Sequence, residues 1–212
     1  MVMLIGCDNS SLVIDKLCDE AGEGDTAVMC FYFDFAARSQ QSPVNMLGSL
    51  LRQFVSGLKK IPEAIVQDFQ KQKTGTGGRG LQVSGVMKMF QAITTTRRTF
   101  ICVDALDECI PEHRMVILES LRLILQGSPN TRLFMTGRPQ VRSEVERRLD
   151  GAATFVSVQP TEDGVIIYLH DKLRKDTTPE IMSTTLEAEI MRTIPEMNSE
   201  TYVESSAREK LP

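Results

Sequence analysis

The stretch Thr99-Phe100-Ile101-Cys102-Val103-Asp104-Ala105-Leu106-Asp107-Glu108-Cys109 constrains the fold of this chain more than any other. Phe100 to Val103 is an unbroken apolar run with aromatic and β-branched members. That is the composition of a strand covered on both faces, as in the interior of a parallel sheet. The run stops at a carboxylate. In an open parallel sheet the carboxyl ends of the strands form the ligand crevice, which places Asp104 at its rim and Asp107 and Glu108 on the loop beyond. Three carboxylates so close together suit one task, holding a hydrated magnesium ion and polarising a water beside a phosphate chain. Asp also starts turns, so the stretch alone leaves a plain turn as an equal alternative.

The neighbouring segments favour the sheet. Arg97 and Arg98 precede the strand and are expected to solvate its entry. Pro111 and Glu112 open a helix, Pro being tolerated and acids favoured in a first turn. Ile117, Leu118, Leu121, Ile124 and Leu125 recur at helical spacing, and Gly127 ends the helix. After Ser128-Pro129-Asn130 a second strand, Arg132 to Thr136, closes on Gly137-Arg138-Pro139. Strand, helix and strand make a βαβ unit with parallel strands.

Upstream, Ala27 to Phe33 is another nearly all-apolar strand, ending at Asp34, which serves either the crevice or a turn. Ser42 caps a helix with Pro43 at its first position. Met46, Leu47, Leu50, Leu51, Phe54 and Val55 form its core stripe, while Arg52 and Gln53 are expected to face away. A second helix is expected over Leu81 to Thr94. Downstream, Val141, Val145 and Leu149 mark one face of a short helix, and Ala153 to Val158 a strand. Thr161 then caps a helix with Val165, Ile166, Leu169 and Leu173 on its apolar side. His170 falls outside that side, and His113 occupies a first-turn surface position. Leu186, Ile190 and Ile194 suggest one more helix, broken at Pro195.

The expected fold class is α/β, an open, mostly parallel sheet with flanking helices. Residues 1–158 are expected to form its core, residues 159–195 a partial helical region, and residues 196–212, polar and aperiodic, a disordered tail.

Several of these segments resemble the NACHT-type nucleotide-binding domains, a family of P-loop signalling ATPases that includes nephrocystin-like proteins. Phe100 to Cys109 resembles the Walker B segment of that family. Leu133-Phe134-Met135-Thr136-Gly137-Arg138-Pro139 looks like its sensor segment. Cys30 to Phe35 with Ser42-Pro43 resembles its second strand and helix, and Val156 to Ile194 the helical region after the core. The resemblance implies a nucleotide-driven conformational switch with magnesium and ATP or GTP as cofactors. It also implies that Asp104 holds the magnesium, that Asp107 and Glu108 position the attacking water, and that Arg138 senses the terminal phosphate. The alternative for Arg138 is a salt bridge to Asp104 or Glu108.

One element of the family pattern is missing. A P-loop needs G-x-x-x-x-G-K-[ST] after the first strand, because its amides cradle the phosphates and its lysine neutralises them. Here Met3-Leu4-Ile5-Gly6-Cys7-Asp8-Asn9-Ser10-Ser11 has one glycine and no lysine, and Asp8 repels phosphate. Losing about four charge-assisted contacts at roughly 1.5 kcal/mol each removes about 6 kcal/mol. Affinity then falls about 10⁴-fold. The glycine-rich run Gly75 to Gly80 lacks G-K-[ST] and reads as a connection.

The expectation is therefore a NACHT-like core truncated at both ends, deficient in nucleotide binding and inactive as an NTPase. The alternative is a non-enzymatic scaffold that associates with itself or with NACHT-type relatives. A net charge of -4 with no clustered basic face argues against nucleic acid. Five cysteines without a C-x-x-C pair give neither a disulfide framework nor a zinc pattern. No apolar stretch spans a bilayer, and a cytoplasmic, reducing setting is expected.

Overall fold

The apolar runs become strands, and the amphipathic runs between them become helices. A computed structural model of the chain describes residues 2–5, 10–21, 26–58, 60–74, 82–94, 97–150, 153–157, 161–175 and 183–195. In chain order the elements are β1 (Val2–Ile5), α1 (Ser10–Ala21), β2 (Thr26–Tyr32), α2 (Pro43–Ser56), α3 (Glu63–Thr74) and α4 (Val83–Ile93). There follow β3 (Arg98–Asp104), α5 (Pro111–Gly127), β4 (Thr131–Gly137), α6 (Arg142–Arg148), β5 (Thr154–Ser157) and α7 (Glu162–Arg174). A further helix, α8, covers residues 184–195. Single 3-10 turns lie at Phe35–Ala37, Leu106–Glu108 and Pro139–Val141. Residues 6–9, the glycine-rich run at 75–80 and the tail at 196–212 lie outside the described residues.

The five strands form one sheet in the order β2-β3-β4-β1-β5, and every pairing is parallel. The open parallel α/β architecture is thus the one read from the sequence. The connection from β1 leads to one edge of the sheet, whereas β2, β3 and β4 step back toward the other. Right-handed crossovers then put α1 on one face and α2 to α6 on the opposite face. The packing agrees: α2, α4 and α5 pack on one another and α6 on α5, while α1 packs on β2.

Strand side chains alternate between these faces. Met29, Ile101, Val103, Leu133 and Met135 join Met46, Leu47, Leu50 and Phe54 of α2, Val86, Met89 and Phe90 of α4, and Ile117, Leu118 and Leu121 of α5 in one buried cluster. On the α1 face, Val28, Cys30, Phe100 and Phe134 are only half-buried, although Cys102 is fully enclosed.

Local chemistry fixes the ends of elements. Ser42 accepts from the Asn45 amide, with Pro43 following at N1, and Thr161 accepts from the Gly164 amide, as N-caps do. Ser183 caps α8 through the Leu186 amide at 3.1 Å. At the other end of the sheet a buried hydroxyl chain ties two turns together. Thr131 Oγ1 donates to Ser128 Oγ at 2.8 Å, and Ser128 Oγ to the Thr94 carbonyl at 2.7 Å.

Three side chains depart from the sequence reading. Gln53 does not face away: its Nε2 donates to the Cys30 carbonyl at 2.8 Å and its Oε1 accepts from the Cys30 amide at 2.9 Å. Residue 30 lies on edge strand β2, whose outward amide and carbonyl need partners, and one carboxamide supplies both. Arg97 does more than solvate, since it donates to the Gly57 and Thr26 carbonyls, each at 3.2 Å. His113 is half-buried, with an Nδ1 that is buried and unpaired among the described residues.

By internal packing the chain divides into Met1–Val158 and Gln159–Pro212. In the second unit α7 exposes Ile167 and Tyr168 and buries Leu169, and His170 is exposed. No helix among the described residues is long and apolar enough to cross a membrane.

Candidate functional site

Strand β3 ends at Asp104, and the chain turns at once. Ala105 adopts φ 52° and ψ 48°, the left-handed region that costs an L-residue roughly 1–2 kcal/mol. Its amide is held at 3.0 Å by Thr136 Oγ1. That hydroxyl therefore accepts from Ala105 and spends its own proton on Asp104 Oδ1, 2.5 Å away. Asp104 stands as an acceptor, oriented by the neighbouring strand. Sequence reasoning placed Thr136 in the strand without a role. The available signal was a hydroxyl at the end of an otherwise apolar run, and its partner lies 32 residues away.

Asp104 lies on the α1 side of the sheet, level with Tyr32 of β2. Burial pushes the Tyr32 phenol above its ordinary range, and the Cys30 thiol and Asp104 carboxylate add to the shift. Burial also pushes the Cys102 thiol up to about 12 and the Cys109 thiol up to about 11.

Asp107 and Glu108 have other partners. Asp107 Oδ1 accepts from the Arg138 amide at 3.1 Å, and its Oδ2 lies 3.4 Å from Arg138 Nε. Arg138 therefore pairs with Asp107, not with Asp104 or Glu108. Its side chain is 68% exposed, against 10% for Asp107. Glu108 Oε2 accepts from the Phe35 amide at 2.8 Å, joining the turn after β3 to the turn after β2. Asp34 accepts from the Ala36 amide at 2.8 Å, so of its two sequence-level alternatives it takes the turn.

Asp107 and Glu108 line a cleft of about 600 Å³ together with Phe35, Arg38, Arg114 and Gln140. Asp104 and Thr136 are not part of that lining. Arg38 stacks on the Phe35 ring at 4.4 Å, and Arg114 is held by Glu144 at 2.7 Å. Among the described residues no three carboxylate, histidine or thiol groups converge as a metal cage. Asp104 offers an oriented oxygen donor at the rim. A magnesium ion carried in by phosphates needs only one or two such carboxylates, because it keeps most of its waters, so the donor type fits.

The site lies where the topology predicts a crevice. The helices following β1 and β4 lead to opposite faces, which makes these neighbouring strands the switch point of the sheet.

Residues 9–138 match the family model described as nephrocystin 3, N-terminal. No curated protein matches the chain in sequence. Among solved structures, Cdc6p from Pyrobaculum aerophilum is similar in fold, with a TM-score of 0.53 and 13% identity over 82% of this chain and 42% of its own. The Walker-type ATPase of Pyrococcus abyssi gives a TM-score of 0.51 and 13% identity over 92% and 59%. The Aeropyrum pernix ORC1 protein, solved in complex with DNA, gives 0.50 and 16% over 94% and 55%. The chain thus spans between 42% and 59% of the length of these structures, and the likeness is one of fold.

Proposed function

The chain belongs to the nephrocystin 3 N-terminal family, and from that premise we propose that it is a nucleotide-responsive domain of the P-loop class with a weak hold on triphosphate. One observation carries the reading. Thr136 on β4 aims the Asp104 carboxylate at the end of β3, at the rim where parallel sheets take their ligands.

In this proposal Asp104 holds the magnesium that accompanies ATP or GTP, an ion that neutralises phosphate charge when bound. Thr136 keeps the carboxylate oriented. Arg138 senses the terminal phosphate. Its guanidinium is exposed and lies a long 3.4 Å from the nearly buried Asp107 carboxylate, so a phosphate can compete for it from the solvent side. Released Asp107, with Glu108, then faces the reaction side and positions water. The pair would thus have two states, closed without phosphate and open with it.

The weak hold follows from the sequence, since only Gly6-Cys7-Asp8-Asn9 joins β1 to α1. The test is calorimetry with magnesium ATP and GTP on this chain and on a version carrying a full G-x-x-x-x-G-K-T loop in place of residues 6–9. The chain itself should bind in the range of about 10 mM, and the loop version at least about a hundredfold tighter. In the loop version Asp104→Asn should remove the dependence on magnesium. Tight, magnesium-dependent binding by the unaltered chain would overturn the weak hold; no binding by the loop version would overturn the nucleotide reading.

A second reading is favoured by the engagement of Asp107 and Glu108 with protein partners. The chain would then keep the α/β scaffold for association and carry out no hydrolysis. A loop version that binds nucleotide without turning it over would support it. DNA is part of the ORC1 structure, but a net charge of -4 argues against it as a ligand here. A salt-sensitive shift of duplex DNA by this chain would show otherwise.

A further inference from the structure

Helices α4 and α5 leave between them a groove of about 680 Å³ walled by Val83 and Met87 on one side and Met115, Val116 and Leu123 on the other. Met115, Val116 and Leu123 are 42%, 41% and 40% exposed, although the opposite side of α5 is fully buried. Two helices presenting apolar stripes to a shared furrow match the helix-in-groove mode of recognition, and methionine walls adapt to their occupant.

The rim is charged asymmetrically. Lys88 and Arg148 line it, as does Glu119, but Glu119 is already held by Arg122 at 2.6 Å. Arg148 Nε is buried and has no hydrogen-bond partner among the described residues. The groove therefore suits a helix that is apolar along one stripe and acidic beside it.

We propose that this occupant is α8 of a second copy of the chain. Leu186, Ile190 and Ile194 form a stripe along α8, and both of its ends are open, with Leu186 40% and Ile194 42% exposed. From residue 186 to 194 a helix rises about 12 Å, the same as from 115 to 123. At about 100° per residue Glu187 and Glu189 fall on opposite flanks of the stripe, which lets carboxylates meet Lys88 and Arg148. The chain thus carries both the groove and a complementary helix, and docking between copies buries both.

The test is sedimentation velocity of the full chain across a wide concentration series. It should show reversible self-association, abolished by Leu123→Glu. Arg148→Glu should weaken it about tenfold or more, and mixing that variant with Glu187→Lys/Glu189→Lys chains should restore the mixed species. Circular dichroism checks that each variant is folded. Should Leu123→Glu fail to fold, a peptide of residues 183–195 provides the second measurement, because it should dissociate the wild-type oligomer. A chain that stays monomeric throughout, an oligomer that survives Leu123→Glu in folded form, or charge-swapped chains that do not recover would each overturn the proposal.

Discussion

The two faces of the sheet are built differently. The face under α2, α4 and α5 is closed by side chains such as Leu50, Phe90 and Leu121, each at 0% exposure. The face under α1 leaves Val28, Cys30 and Phe100 only partly buried, and it is this face that carries Asp104. The difference separates two tasks. Stability resides mainly on the closed side, where the central strands bury Ile101, Val103, Leu133 and Met135 almost completely. The open side can hold a polar pair, Asp104 with Thr136, at a rim that a ligand can reach.

Thiol labelling offers the largest effect that could break this contrast. With its pKa at about 12, Cys102 should react with a thiolate-seeking reagent about a thousandfold more slowly than an ordinary thiol near 9, while exposed Cys18 reacts readily. Comparable rates for the two in native protein would mean that even the centre of the α1 face is open. Next come core truncations followed by urea unfolding. Leu50→Ala should cost about 3 kcal/mol, and Val28→Ala about 1 kcal/mol; equal costs would erase the distinction between the faces. Thr136→Val keeps the volume but removes the hydroxyl shared by Asp104 and Ala105. It should destabilise by about 2 kcal/mol, with Thr136→Ser recovering most of that loss. The smallest expected change is a gain. Ala105→Gly relieves the positive φ beside Asp104 and should add about 1 kcal/mol, and a loss there would mean that the Ala105 side chain makes a packing contribution larger than its strain.

How much of this was legible beforehand depends on the range of each interaction. The strands, their parallel sense and the caps at Ser42 and Thr161 follow from residues within a few positions of one another. So does the arrival of Asp104 at the rim, since strand Phe100 to Val103 can end only there. Gln53, Arg97 and Thr136 were not legible in the same way. Gln53 sits on a helix beside a core stripe, where it reads as solvated. Its partner is a backbone group 23 residues earlier, and only the location of β2 at the edge of the sheet gives it work. Arg97 likewise bridges segments 40 and 71 residues away. The family resemblance gave a role to Arg138 and none to Thr136, and the pairing of the exposed Arg138 side chain with Asp107 could not be read from spacing, because it depends on how the turn after β3 folds back toward the turn after β4.

The carboxamide of Gln53 also makes the border of the sheet sensitive to a single change of side-chain chemistry. Hydrolysis of that amide to a carboxylate would replace the donor facing the Cys30 carbonyl with a second acceptor. The contact would change from attraction to repulsion, and the outer strand would be left with bare backbone to offer to a neighbouring molecule. Gln53→Glu should therefore make the protein prone to aggregate through β2, while the unaltered chain at the same concentration stays dispersed.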